Sequence, residues 1–337
     1  MTKRPLFGIA ALLMCTSLIA ACGGSEGDDG ATTLTLGSAA APTNAMTPAA
    51  EQFKQQVESG TEGRVKVTLQ LNGVVGDEFT MAESIQRGTL DMGIISDFGL
   101  SGVEPAISVA GLPYLFTDMD QVKEHYYNGF LGEYSAGKLA EHDIRVLAWG
   151  DNSFRALSNS VRPVEKAADI DGLNLRVTQV PVLIDYFEAL GARVTPLPIT
   201  ETLTSLQQGL VDGQENGINL TASFGFGDAQ KYMTVTNHAY SAVGFVINEQ
   251  VFEGLSESDR QVVQDAATEA AAFEVEQNIK DVATNRQKLE EGGIVFSELT
   301  PEAAAQLRST AQEIWGQSAG EFDPQIMEQI QSTLGAQ

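Results

Sequence analysis

The feature that most constrains this chain is a helical pattern that begins at Ser256 and continues to about Glu290. Neither Gly nor Pro interrupts the pattern, and Glu and Gln recur throughout it. A helix of about 35 residues is ~50 Å long at 1.5 Å per residue, whereas a small domain is about 30 Å across. We therefore expect this helix to be longer than one lobe of the protein and to lie across two lobes.

The chain is long enough for about two domains and apolar enough to give each of them a packed core. It has 337 residues, of which 43% are hydrophobic and 19% are charged, too few charges for a disordered chain. The formal net charge of −25 makes nucleic acid a poor partner, because binding to phosphates needs a basic face. If the ligand is an anion, local hydrogen-bond donors must attract it against the field of the whole molecule.

Strand and helix patterns alternate along the chain, and one unit occurs twice. Residues 84–91, Ser-Ile-Gln-Arg-Gly-Thr-Leu-Asp, are echoed by residues 205–212, Ser-Leu-Gln-Gln-Gly-Leu-Val-Asp. Each copy reads as a helix end, a glycine cap and the start of a strand. Such joints are common in α/β proteins, so chance similarity is the alternative explanation. We predict an α/β protein with one copy of this unit in each of two lobes.

The strand patterns also suggest where the lobes divide. An apolar strand is predicted at 144–149, the second lobe begins near Asn152, and a strand at 240–248 returns toward the first lobe. We therefore assign residues 32–151 and 242–281 to lobe I, and residues 152–241 and 282–337 to lobe II.

The first residues predict export and a lipid anchor. Lys3 and Arg4 precede an uncharged, mostly apolar run at 5–21, and small residues lead directly to Cys22. This pattern is typical of a lipoprotein signal peptide that is cleaved before Cys22, whose sulfur then carries the lipid. An uncleaved transmembrane anchor is the alternative, but the run is short for a span. Residues 22–31, rich in Gly, Ser and acids, read as a flexible tether.

Two arginines are the candidate ligand-binding side chains. Arg155 and Arg176 each stand beside short apolar runs in an acidic chain, and an amide-bearing turn that ends at Asn216 follows them. The planar guanidinium of Arg matches the two oxygens of a carboxylate, which the point charge of Lys does not. The alternative for either arginine is a surface position or one half of a structural ion pair.

Several strings together resemble one known family. Residues 171–177 (Asp-Gly-Leu-Asn-Leu-Arg-Val), 212–216 (Asp-Gly-Gln-Glu-Asn) and 236–238 (Thr-Asn-His) resemble the substrate-binding receptors of TRAP transporters, the DctP family. The similarity covers nearly the whole mature chain. It includes residues 63–65, 76–78, 86–92, 112–116 and the long helix.

The resemblance implies an extracytoplasmic receptor with a two-lobe, periplasmic-binding-protein-like fold of type II. Such receptors close on an organic acid and deliver it to membrane permease subunits driven by an ion gradient. Arg176 matches the arginine that pairs with the ligand carboxylate in this family. Arg155 matches a second arginine of the same cleft, and Asn216 matches the asparagine of the family's Gln-Glu-Asn-Pro turn, although a turn-forming role for Asn216 is the alternative.

Three departures from the family pattern bear on the ligand. Gly217 stands where the family usually has Pro, so the turn after Asn216 is expected to be looser. Sialic-acid receptors have a Glu where this chain has Ser96, followed here by Asp97, and their N-terminal asparagine falls at about Ala39. A smaller acid than sialic acid is therefore favoured. We take Ser96, Asp97 and Ile199 as further candidate ligand residues, with Phe154 and Phe224 as possible wall residues, although core packing is the simpler role for the apolar ones.

Rival functions lack the residues they need. An enzyme acting on acidic substrates would need a nucleophile, a metal cluster or a paired acid and base, and we identify no such set, no cofactor motif and no metal site. The mature chain has no cysteine other than Cys22, and His238 has no nearby Cys or second His, so a core or hinge hydrogen bond is its expected role. A lipid-anchored receptor of an ABC importer is the nearer alternative, because it too has two lobes.

Overall fold

The computed structural model describes residues 30–335. The predicted signal peptide, the lipidation site Cys22 and nearly all of the tether lie outside the described residues. The strands are β1 Thr32–Ser38, β2 Val65–Gln70, β3 Met92–Ser96, β4 Ile144–Phe154, β5 Ala156–Asn159, β6 Asn174–Val177, β7 Arg193–Pro196, β8 Gly213–Asn216, β9 Tyr232–Thr234, β10 Tyr240–Asn248 and β11 Val295–Ser297.

The helices alternate with these strands through most of the chain. They are α1 Met46–Gly60, α2 Glu78–Gln86, α3 Asp97–Leu100, α4 Met119–Val122, α5 Phe130–Ala140, α6 Pro181–Ala189, α7 Ile199–Gln207, α8 Ile218–Ser223, α9 Glu249–Gly254, α10 Glu257–Glu291, α11 Pro301–Ser318 and α12 Pro324–Thr333. Short 3₁₀ segments and one π-helical turn join some of them.

Two mixed sheets organise the molecule. The first has the strand order β2-β1-β3-β10-β4, and the second has the order β11-β9-β5-β8-β6-β7. In the first sheet β3 is parallel to β1 and antiparallel to β10; in the second, β8 is parallel to β6 and antiparallel to β5. The two sheets therefore repeat one arrangement, as expected for a two-lobe α/β protein.

The unit that occurs twice in the sequence makes the same contacts in both sheets. Gly88 and Gly209 each have a φ of +68°, the left-handed conformation that a glycine adopts without strain. The Asp91 carboxylate accepts a 2.7 Å hydrogen bond from the backbone N–H of Thr35, at the edge between β1 and β3. The Asp212 carboxylate accepts the equivalent 2.9 Å bond from the N–H of Asn174, between β6 and β8.

Helix α10 lies across both lobes, which confirms the prediction from the long pattern. Ser256 caps its first turn by accepting a hydrogen bond from the N–H of Asp259. Near its start, Val263 and Ala267 are buried in the core beneath the first sheet. Near its end, Leu289 packs with Ala156 and Met233 of the second sheet. One apolar stripe thus serves two cores.

The chain also passes between the sheets at two other places. One is the junction of β4 and β5 at Arg155, and the other is the segment between β9 and β10. The lobe boundaries that we expected at 151/152 and 241/242 fall inside β4 and β10 respectively. Strand β4 is longer than the predicted 144–149, because β10 pairs with it as far as Tyr240 opposite Phe154.

Candidate functional site

A cavity lies between the two sheets, where their parallel strands end. Ala40 follows β1 and Ser96 ends β3 on one wall, while Thr178 follows β6 and Asn216 ends β8 on the other. The carboxyl ends of parallel strands are the usual place for a ligand in α/β folds, because helix starts and loops converge there. The free cavity volume is about 30 Å³, so the two walls lie close together.

Arg176 is a buried cation with an unused donor at this cavity. Strand β6 carries it, and its side chain is only 2% exposed. Its Nε donates a 2.8 Å hydrogen bond to the backbone oxygen of Leu197, whereas its buried Nη1 has no hydrogen-bond partner among the described residues. Burial lowers the pKa of Arg176 to about 10, although Glu215 opposes the shift, so the guanidinium is still charged at neutral pH. A buried N–H of this kind is stabilised by an acceptor.

Arg155 lines the same cavity but is held by the protein's own carboxylate. Its Nε donates to Glu215 Oε2, and its Nη2 donates to Glu215 Oε1 at 2.9 Å. The same Nη2 also donates to Asn216 Oδ1 at 3.0 Å, and the guanidinium lies over the ring of Phe98. Arg155 is therefore one half of a buried ion pair, which was the alternative left open for it above.

Glu215 is the centre of this network, and the sequence reasoning did not single it out. Besides Arg155, the N–H of Thr178 donates to its Oε1 at 3.0 Å, and His238 Nε2 lies 3.4 Å from its Oε2. Arg176 Nη1 lies 3.9 Å from Oε1, too far for a hydrogen bond. Burial works to raise the pKa of Glu215, but Arg155 and His238 outweigh it and hold the pKa well below its ordinary value of 4.5. The only sequence signal was an acid directly before Asn216.

His238 and Asn216 orient other members of the network. The Nδ1 atom of His238 is hydrogen-bonded to the hydroxyl of Thr236 at 2.7 Å, and burial lowers the pKa of this histidine below 6.5. The amide of Asn216 accepts from Arg155 and donates to Gln214 Oε1 at 2.7 Å. Asn216 thus lines the cavity with an amide whose direction is fixed.

The structure brings some of the remaining candidates to the cavity and leaves others away from it. Ser96, Ile199 and Phe224 line it, whereas Phe154 lines a separate groove beside α10. Asp97 is not among the lining residues. Its buried carboxylate accepts hydrogen bonds from the hydroxyls of Ser241 at 2.8 Å and Tyr126 at 3.2 Å, and burial raises its pKa to about 6.

Glu78 is a second acid at the cavity that the sequence reasoning missed. It is the first residue of α2, after the helix cap Asp77, and its sequence signal was its place in the 76–78 string. Its Oε1 accepts a 2.9 Å hydrogen bond from the N–H of Ser96, and its Oε2 accepts a 2.6 Å bond from the Ser96 hydroxyl. Burial raises the pKa of Glu78 above 4.5, although these bonds and the two arginines act in the opposite direction.

Two kinds of feature are absent from residues 30–335. No helix there combines the length and the apolar character needed to cross a bilayer. The same residues contain no group of three or more His, Cys, Asp or Glu side chains placed to hold a metal ion.

Two similar lobes around a cavity with a charged, buried arginine define a solute-binding receptor of the periplasmic type. The model of the DctP family, bacterial extracellular solute-binding protein family 7, matches residues 36–321. The chain belongs to this family, so the choice between TRAP and ABC receptors falls to the TRAP type.

Relatives and solved structures agree with this membership. The chain is 34% identical over 268 residues to a solute-binding protein of Roseobacter denitrificans. The aligned residues cover 79% of this chain and 82% of that protein. It is 31% identical over 262 residues to the 2,3-diketo-L-gulonate-binding periplasmic protein YiaO of Escherichia coli, covering 78% of each. A TRAP periplasmic solute-binding protein from Polaromonas, solved with bound D-erythronate, has a TM-score of 0.84 and 30% identity, covering 91% of this chain and 100% of that one.

Proposed function

We propose that this receptor captures a small organic acid between its lobes and delivers it to the membrane subunits of a TRAP transporter. The observation that carries the proposal is Arg176, whose charged guanidinium is buried at the cavity with an unused N–H. A ligand carboxylate would supply the acceptor and the opposite charge together, with the two-pronged geometry that an arginine favours.

The surrounding residues support different roles for the two arginines. Glu215 neutralises Arg155 and leaves the charge of Arg176 to the ligand. Arg155 and Asn216 then present fixed polar groups beside the carboxylate rather than competing for it. The ligands named for the two similar proteins above, a diketo-gulonate and an erythronate, are both carboxylates.

We further propose that the lobes close on the ligand as rigid bodies. Lobe I is assigned residues 32–151 and 242–281, and lobe II residues 152–241 and 282–337. Ser96 and Glu78 belong to the first assignment, and Arg176 and Asn216 to the second. A ligand that touches both walls favours the closed state by its differential affinity for it.

The sequence of residues 3–22 supports export and a lipid anchor, and family membership supports a location outside the cytoplasm. The receptor acts outside the cytoplasm as a lipoprotein held by Cys22, with no chemistry of its own. Cys22→Ser in the full chain is expected to move the protein from the membrane fraction to the soluble fraction. Retention of a cleaved variant, which begins at residue 22, on membranes would contradict the lipid anchor.

A thermal-shift screen tests the ligand class. A soluble form that begins at Ala31 would be screened against monocarboxylates, dicarboxylates, keto acids, sugar acids, neutral sugars and peptides. A ligand at ~100 times its Kd adds about 2.7 kcal/mol, which raises the Tm by several degrees.

The controls are two arginine variants in the same sheet. Arg176→Met should lose the shift, whereas Arg193→Met should keep it, because Arg193 is exposed on the neighbouring strand β7. Shifts by sugars or peptides with none by any carboxylate would overturn the proposal.

A further inference from the structure

We infer that Glu78 is the specificity-determining residue of this receptor: it selects acids with one carboxylate and several hydroxyl groups, and it rejects acids with a second carboxylate at the far end. The inference rests on the proposed function, because it assumes that Arg176 holds the first carboxylate. It adds a role for the opposite wall of the cavity.

Glu78 is held in place by two hydrogen bonds from Ser96. Ser96 donates to both carboxylate oxygens, from its N–H at 2.9 Å and its hydroxyl at 2.6 Å. The same Ser96 hydroxyl accepts from the N–H of Gly99, which fixes the hydroxyl's own orientation. A Cβ added to Gly99 would lie 2.5 Å from Glu78 Cβ, so only glycine at position 99 leaves room for this side chain. The carboxylate is therefore a preorganised part of the wall.

The free lone pairs of Glu78 have no cation to satisfy them. Among residues 30–335, no Lys, Arg or His nitrogen lies within 4.0 Å of the Glu78 carboxylate. Two bonds from Ser96 leave acceptor capacity, since an ionised carboxylate has about four lone-pair sites. Glu78 is partly accessible and lines the cavity, so that capacity is available to a ligand. Hydroxyl groups are the uncharged donors that would use it.

One guanidinium at the cavity is left for a ligand carboxylate. Arg155 is paired with Glu215, whereas Arg176 makes no hydrogen bond to a carboxylate of the described residues. A single ligand carboxylate would pair with Arg176. A second ligand carboxylate would have no cation and would face Glu78, a like charge in a partly desolvated site. The arrangement thus disfavours a dicarboxylate by repulsion and favours a hydroxylated monocarboxylate by hydrogen bonding.

Acids of equal length separate these effects. Erythronate, succinate and butanoate each have four carbons, and galactonate, galactarate and hexanoate each have six. Calorimetric titration of the soluble form would measure the Kd of each acid. In the four-carbon set or in the six-carbon set, the Kd of the hydroxylated monocarboxylate should be at least ~30-fold lower than the Kd of each of the other two acids. Tightest binding of succinate or galactarate would overturn the inference.

The Glu78→Gln variant tests the residue itself. It should weaken binding of the hydroxylated acid by at least ~10-fold and change binding of butanoate or hexanoate by less than ~3-fold. It should also narrow the gap to the dicarboxylate, because the repelling charge is gone. Glu83→Gln is the matched control, since Glu83 lies on the same helix but faces solvent beside Arg87. Equal losses for all three acids would overturn the inference.

Two further measurements keep the outcomes distinct. Ser96→Ala removes the hydroxyl bond to Glu78 Oε2 and keeps the backbone N–H bond to Oε1, so it loosens the carboxylate. It should reduce the same discrimination, and it replaces Glu78→Gln if that variant does not fold. In one outcome, Arg176→Met loses binding of every acid while Glu78→Gln still prefers the hydroxylated monocarboxylate as strongly as the wild type does. This pair of results would leave the proposed function intact and remove only the role of Glu78. Failure of every acid to bind the wild type would remove both.

Discussion

At the scale of single residues, the carboxylate of Glu215 gives different roles to two arginines that look equivalent in the sequence: it pairs with Arg155 and leaves Arg176 without a hydrogen-bonded carboxylate. Glu215 bonds Arg155 with both oxygens and stays 3.9 Å from the nearest nitrogen of Arg176. A buried charge without a partner is costly, so each arginine needs an anion. The protein supplies one and, on our account, the ligand supplies the other.

Glu215→Gln should therefore destabilise the protein strongly. It leaves Arg155 buried without its counter-ion, a loss of about 3–5 kcal/mol for a broken buried pair. Chemical denaturation at pH 7 would measure the change. Glu83→Gln, which removes an exposed pair with Arg87, should change the free energy of unfolding by less than about 1 kcal/mol. Equal effects of the two variants would contradict the central place of Glu215.

The same pair predicts a pH dependence. The folded-state pKa of Glu215 lies well below its ordinary 4.5, so its contribution to stability is complete above that pH and is lost as the pH falls further. The stability of Glu215→Gln should accordingly depend less on pH below about 4.5 than that of the wild type.

The sequence located the arginines but not their partners. Arg155, Arg176 and Asn216 stand in recognisable strings, whereas Glu215 and Glu78 are two acids among 45 Asp and Glu residues. Which acid meets which guanidinium depends on how strand ends and helix starts from both sheets converge. That convergence is a tertiary property, so composition and spacing alone did not specify it.

At the scale of elements, the long helix and the repeated glycine joint were predictable because their signals are local. An uninterrupted pattern after the capping residue Ser256 specifies α10, and a left-handed glycine specifies each joint. The extent of β4 was not predictable beyond Trp149. Its last residues pair with the distant strand β10, and no local signal marks that pairing.

Gly217, which follows β8, lies against Ser153 near the end of β4, and this contact gives a prediction. The φ of Gly217, −63°, is already that of proline, the residue expected here from the family pattern. A Cβ at Gly217, however, would lie 2.0 Å from the hydroxyl of Ser153. Ser153 itself has a φ of +78°, and its buried hydroxyl has no hydrogen-bond partner in the described part of the chain.

Ser153→Gly should stabilise the protein by about 1 kcal/mol, because it relieves a left-handed backbone and removes an unsatisfied hydroxyl. Gly217→Pro should destabilise the wild type and be less destabilising when combined with Ser153→Gly, which removes the hydroxyl but leaves the backbone oxygen of Phe154 at 3.1 Å from the new Cβ. Thermal unfolding of the four proteins would measure this coupling. An equal effect of Gly217→Pro in both backgrounds would contradict the clash.

At the scale of the whole molecule, buried polar groups lie where the lobes meet beneath α10. Glu274 accepts a 2.7 Å hydrogen bond from the N–H of Asp151, while its Oε1 is buried without a partner in residues 30–335. The carboxylate of Asp151 accepts from Tyr240 and from Asn278, both at 2.8 Å. Burial, followed by repulsion from Asp151, raises the pKa of Glu274 well above 4.5.

Glu274→Gln should therefore make stability less dependent on pH. A raised carboxyl pKa means that the folded state holds the proton more tightly, so stability is full below about pH 4.5 and is lost as the pH rises through the folded pKa. The variant avoids that loss and should be more stable than the wild type at pH 8. We expect the advantage of the variant over the wild type to be larger at pH 8 than at pH 5, because only the wild type loses stability as the Glu274 carboxyl ionises.

Denaturation at pH 5 and pH 8 would measure the difference. Glu276→Gln is the control on the same helix, because Glu276 is exposed and paired with Lys280. An equal or steeper pH dependence in Glu274→Gln than in the wild type would contradict a raised pKa for Glu274.

The central claim is that Arg176 recognises the carboxylate of the ligand, and a cycle of two proteins and two ligands tests it most directly. Calorimetry would measure the Kd of the best-binding acid and of its primary amide, which has the same shape without the charge, for the wild type and for Arg176→Met. We predict that the wild type prefers the acid by at least ~30-fold, corresponding to ~2 kcal/mol or more for a buried charge pair, and that the variant has almost no preference. An equal preference for the acid in both proteins would contradict the claim.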